Sequence, residues 1–121
     1  MRLALIHLVA AAPLAFVAAP AVAQDSMMQP VSSEAIMAGK YAKAEHDLLA
    51  ELRIHPGRPE LLLNLAAVYS QTNRPDEARA LYQRVLSQDD VLMDLAVNKT
   101  VGSHAIARTG LDRLNTRMTA R

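Results

Sequence analysis

The side chains able to do chemistry are few, and their spacing does not bring them together. Four histidines, His7, His46, His55 and His104, offer imidazoles for metal ligation or proton transfer. None has a second His or a Cys three or four residues away, the interval that sets two ligands on one helix face, so they read as surface histidines. Met27, Met28 and Met37 carry thioethers, which suit Cu(I). With no histidine and no further methionine around them, they read as core filling and linker composition. Ser103-His104 sets a hydroxyl beside an imidazole, but nucleophilic catalysis needs a positioned serine, and no G-x-S-x-G turn supplies one. Ser103 is better used as a helix cap. The paired carboxylates Asp76-Glu77 and Asp89-Asp90 fall at helix ends, where the helix dipole or solvent accounts for them. Gly-rich phosphate loops are absent, and a chain without cysteine has no thiol nucleophile, no zinc-thiolate site, no disulfide and no lipobox anchor. The expectation is a protein that is not an enzyme and takes no metal and no cofactor.

Charge narrows the partners. The 13 basic and 12 acidic residues give a net charge of +1, a balance that does not suggest nucleic-acid binding. From Lys99 onward the chain is locally basic, with Lys99, Arg108, Arg113, Arg117 and Arg121 against Asp112 alone. This reads as a solvated helix face, or as attraction to an acidic partner or anionic lipid. No aromatic residues interleave with these cations to stack on bases.

At the other end, Arg2 precedes an apolar run from Leu3 to Ala19, interrupted by Pro13, and then the small triplet Ala21-Val22-Ala23 before Gln24. This is the pattern of a signal peptide over residues 1–23, cleaved after Ala23, and it implies a periplasmic or secreted protein. Only an uncleaved leader would tie the chain to a membrane. Residues 24–31, with Met27, Met28 and Pro30, read as a flexible lead. Asn98-Lys99-Thr100 fits a glycosylation acceptor whose use depends on the host.

The elements between these ends are helical. Leu61, Leu62, Leu65, Ala66 and Tyr69 recur at helical spacing, as do Ala78, Leu81, Tyr82, Val85 and Leu86. Pro59 and Pro75 suit first helical positions, and Glu60, Asp76 and Glu77 place negative charge in first turns. Asn73, tolerant of the left-handed region, turns the chain between the two helices, and small Ala66 and Ala78 permit their close approach. Upstream, Tyr41, Ala44, Leu48 and Leu52 mark another helix, preceded by Gly39 and closed by Pro56-Gly57. Its partner helix is short and starts at Ser32 or Ser33. Residues 91–98 are apolar enough to be buried, and helix and strand are both possible there. Val101-Gly102-Ser103 reads as a turn and N-cap leading into a last stripe of Ile106, Ala107, Leu111, Leu114 and Met118.

Residues 25–58 recur as 59–92 without a gap, a period of 34 residues: Ala44 returns as Ala78, Leu52 as Leu86, Gly39 as Asn73 and Lys40 as Arg74. In the second unit Leu62, Leu65, Ala66, Tyr69, Ala78, Tyr82 and Asp90 occupy the positions of the W-x2-L-G-x2-Y, A-x3-F and P pattern. The first unit carries Ala44, Leu48 and Pro56 of that pattern, while Met28, Val31, Ser32 and Ala35 depart from it. The chain thereby resembles tetratricopeptide repeat (TPR) proteins. The resemblance implies an all-α fold of antiparallel helical hairpins stacked as a short solenoid over residues 32–121, closed by a C-terminal capping helix within 93–121.

It also implies a protein or peptide partner held in a groove lined by first helices. On the helix over 59–71, Leu63, Asn64, Ala67, Ser70 and Gln71 lie on the face opposite the partner helix. In such repeats an Asn at the place of Asn64 often bonds a peptide main chain; the alternative is a merely solvated helix position. The basic groove residues with which some such repeats grip a C-terminal carboxylate have no counterpart on this face. The resulting expectation is an adaptor. Its rivals are a self-associating module, buried as a homodimer through its open apolar end, and a regulatory or maturation subunit of an exported enzyme.

Overall fold

The computed structural model describes residues 32–96 and 98–121. The signal segment, its cleavage site, Met27 and Met28 lie outside them. Among the described residues no helix is long and apolar enough to cross a membrane. The elements run α1 (Ser33–Met37), α2 (Tyr41–Ile54), α3 (Pro59–Gln71), α4 (Pro75–Leu86), β1 (Leu92–Ala96), β2 (Lys99–Gly102) and α5 (Ser103–Thr119).

The repeat is visible in the backbone. Gly39 and Asn73, 34 residues apart, both adopt the left-handed conformation, with φ of 72° and 60°. Each reverses the chain between the two helices of its unit. Pro59 and Pro75 begin α3 and α4, where a missing N–H costs nothing. α1 starts at Ser33, as the serine pair suggests, although the side chain of left-handed Ser32 forms no cap bond.

α3 is the centre of the stack. It packs against α2, α4 and α5, and Leu61, Leu62, Leu63, Leu65, Ala66, Val68 and Tyr69 are all buried. A helix apolar on nearly every side belongs inside, and each buried leucine contributes about 1.5–3 kcal/mol. Ala44 and Leu48 of α2, Ala78, Tyr82 and Val85 of α4, and Ala107 and Leu114 of α5 complete the core. Ala44 and Ala78, equivalent in the repeat, are both fully buried.

A side-chain cluster ties the two units together. Arg74 donates to Glu45 of α2 at 2.7 Å and to Glu77 of α4 at 2.7 and 2.9 Å. Its guanidinium carbon lies 4.0 Å from the Tyr69 ring centroid, a cation–π distance. Burial, and secondarily the Glu45 carboxylate, push the Tyr69 phenol above its ordinary range. The Arg74 hydrogen bond holds the Glu77 carboxyl below its own.

After α4 the period breaks. A third unit in register would begin a first helix at Met93, but residues 92–102 form an antiparallel hairpin. Met93 pairs with Val101 and Asp94 with Thr100, and the register shifts between Asp94 and Ala96. Asn98, left-handed at φ 65°, makes its turn, and Thr100 Oγ1 donates to Asp94 at 2.7 Å. Of the run left open between helix and strand, Leu92–Ala96 is a strand, and among the described residues the helical fold carries one small sheet.

The hairpin also corrects the reading of residues 101–103. Val101 and Gly102 close β2, and Ser103 is the first residue of α5 rather than its cap. Its buried hydroxyl accepts the Val91 amide at 3.0 Å and donates to Asp90 at 3.2 Å, while the Ser103 amide donates to the Val91 carbonyl at 2.8 Å. The carboxylate of Asp90 takes the capping place, accepting the His104 amide at 3.0 Å. That bond holds the Asp90 carboxyl below its ordinary range. Gly102 is needed here because a Cβ would lie 2.7 Å from an Asp90 oxygen.

Candidate binding groove

The last helix crosses α4 and α3 through Ala107, Gly110 and Leu114. Gly110 lets it come close: an added Cβ would stand 2.3 Å from Cζ of Tyr82. Where α5 leaves this contact it forms a groove with the C-terminal half of α3. Ala67, Ser70 and Gln71 line one wall and Arg113, Leu114 and Arg117 the other, with Tyr82 and Gly110 at the base. The groove widens to a mouth of about 330 Å³ edged by Asn73, Pro75, Met118 and Arg121.

Three of the five residues singled out from the sequence thus share one surface. Ala67 and Ser70 are half-buried and Gln71 is exposed. The Ser70 hydroxyl donates back to its own helix at the Ala66 carbonyl, 2.8 Å away. Its carbonyl accepts Arg117 Nη1 at 3.3 Å. The other two lie elsewhere: Leu63 is 5% exposed and belongs to the core, and Asn64 is half-buried and already engaged in a contact of its own.

The groove is basic, which corrects the sequence reading of a groove without lysine or arginine. Arg113 and Arg117 come from α5 and Arg121 from the residues just after it, which the fold brings to α3 across some forty residues of chain. Their spacing at every fourth position was readable; the helix they would face was not. Met118, placed by periodicity in the core stripe, is 53% exposed at the mouth. Its sulfur and the Asn115 amide oxygen accept the Arg79 guanidinium at 3.3 and 3.0 Å, so α4 steadies this end of α5.

The polar cluster Asp90-Ser103-His104 is structural. Ser103 is fully buried, and His104 directs Nε2 to the Gln88 carbonyl at 2.7 Å rather than to the hydroxyl. It is a half-buried histidine, not a surface one. Among the described residues no three His, Cys, Asp or Glu side chains gather as metal ligands would.

Compared with known proteins, residues 35–94 match the model of the family described as tetratricopeptide repeat. The match spans both helical hairpins and reaches into β1. No curated protein and no solved structure matches the chain.

Proposed function

Because the chain belongs, over residues 35–94, to the tetratricopeptide repeat family, whose members generally mediate protein–protein interactions, we propose that it is an exported adaptor holding a protein or peptide in the groove between α3 and α5. The observation that carries this reading is the convergence of Ala67, Ser70 and Gln71 with an open, polar wall of α5. A concave surface with a small apolar base and amide and guanidinium groups on its walls suits a peptide backbone and its side chains better than a flat partner. Export, to the periplasm or the medium, rests on the leader pattern of Arg2, Leu3 to Ala19 and Ala21-Val22-Ala23.

A photo-crosslinking residue at Gln71 in the native cell, with the same residue at Arg53, exposed on α2 and outside the groove, as control, tests the adaptor reading. One protein trapped from position 71 and not from 53 is the expected result; equal or absent trapping overturns it.

Self-association is the second reading, and one observation favours it. Leu92 and Leu95 are 76% and 51% exposed on a sheet that, among the described residues, has two strands and unpaired outer edges. Sedimentation across a concentration series decides: a dimer lost in Leu92→Lys/Leu95→Lys supports it, and a monomer throughout removes it.

A further inference from the structure

We propose that the α3–α5 groove selects an acidic helical segment, reading side-chain carboxylates placed four residues apart. The inference deepens the adaptor reading and rests on it. Arg113 and Arg117 stand four positions apart on α5, and Arg121 follows two residues beyond its end. At a rise of about 1.5 Å per residue the two helical arginines stand roughly 6 Å apart along a single face, and Arg121 edges the mouth of the same groove. Glu or Asp side chains at i and i+4 of a partner helix repeat at the same interval, so two carboxylates can meet the guanidinium groups of Arg113 and Arg117 in register.

The arginines are available for this. Among the described residues none of the three takes part in an ion pair, and Arg117 spends one N–H on the Ser70 carbonyl, which fixes its side chain over the groove. Among the described residues no Asp or Glu side chain lines the groove. Asp112, the lone acid of α5, lies in a separate outward depression with Thr109 and Thr116, which Arg113 and Arg117 also edge. Guanidinium forks bind carboxylates in pairs of parallel hydrogen bonds, which gives direction as well as attraction. The Gln71 and Asn73 amides opposite can donate and accept along the rest of the ligand.

A membrane surface fits less well. Anionic lipid recruits a helix that also offers a broad apolar face to insert, whereas the outward side of α5 carries Thr109, Asp112 and Thr116.

The test uses the full chain and a helical alanine-based peptide, acetylated and amidated so that it has no terminal charge, with Glu at i and i+4. A second peptide carries Gln at those positions. Titration followed by NMR amide shifts is expected to show the Glu peptide perturbing residues 70–73 and 113–121. Binding should weaken tenfold or more in Arg113→Gln/Arg117→Gln, and also on raising salt from about 0.05 to about 0.5 M. Equal binding of the Gln peptide, or indifference to the two substitutions, overturns the inference. So does arginine-dependent sedimentation with phosphatidylglycerol vesicles when the Glu peptide leaves the spectrum unchanged. Trapping of the native partner separates the two levels. If Ser70→Trp, which blocks the same wall with the photo-crosslinking residue kept at position 71, abolishes trapping while the arginine substitutions do not, the groove stands and the acidic selectivity falls. If neither abolishes it, the groove reading falls as well.

Discussion

Gly110 of α5 lies directly over the ring of Tyr82 of α4, with room for a hydrogen and not for a methyl group. Gly110→Ala gains about 1 kcal/mol of helix propensity but drives a methyl into a buried, rigid ring. The net outcome is a loss of about 1–3 kcal/mol, as in other overfilled contacts. Urea denaturation measures it, and Tyr82→Leu in the same chain should recover part of the loss. A more stable Gly110→Ala variant would mean that α5 does not dock at this position.

Ala78 is fully buried where α4 meets the core. Ala78→Leu forces new methylenes between helices and should also cost about 1–3 kcal/mol. An unaltered urea midpoint would show the register of the second unit to be wrong.

The two left-handed turns give a purer measurement. Nothing lies within 4 Å of the place where a Cβ would stand on Gly39, so Gly39→Ala tests backbone strain without steric contact. The expected cost is roughly 1–2 kcal/mol, the penalty of an ordinary L-residue in the left-handed region. Asn73→Ala should cost less, because Asn itself is not wholly at ease there. Hydrogen exchange at the α3–α4 turn would localise the effect.

Acid should loosen α5 through Asp90. Its carboxyl is held low in the folded chain, chiefly by the His104 amide. The stabilisation is therefore complete above about pH 4, the ordinary aspartate value. It is lost as the pH falls through the lower value of the folded state. Asp90→Asn should begin less stable near neutrality and lose less between pH 5 and pH 2 than the wild type. Parallel pH profiles of the two chains would exclude the capping role.

Much of the helical core was legible because several local signals agreed. Around α3 and α4 the apolar stripes, Pro59, Pro75, first-turn acids and Asn73 all point to the same boundaries, and agreement across levels is what makes a segment readable. Leu63 was misjudged because a surface helix has one apolar stripe, whereas α3 has neighbours on three sides. The hairpin was ambiguous because a short apolar run has no decisive period. What fixes it is non-local: Val91 bonded to Ser103, and Met93 packed against the core. Half of the groove was hidden for the same reason. Ala67, Ser70 and Gln71 follow from helical geometry, but their meeting with Arg113 and Arg117 depends on how α5 docks beyond the hairpin. Export, cleavage after Ala23 and the 24–31 lead rest on sequence pattern alone.

The hairpin of residues 92–102 gives the repeat array a direction of growth. A duplicated unit of 34 residues inserted at the junction of Arg58 and Pro59 would meet on each side the kind of neighbour that each unit already has. Inserted after Leu92, the same unit would separate Asp90 and Val91 from Ser103 and His104, undoing the bonds that seat α5. Lengthening by duplication is therefore tolerated within the stack and blocked at its join to α5, so longer versions of this protein should vary in the number of units ahead of Pro59 while keeping one fixed segment from Asp90 to Arg121.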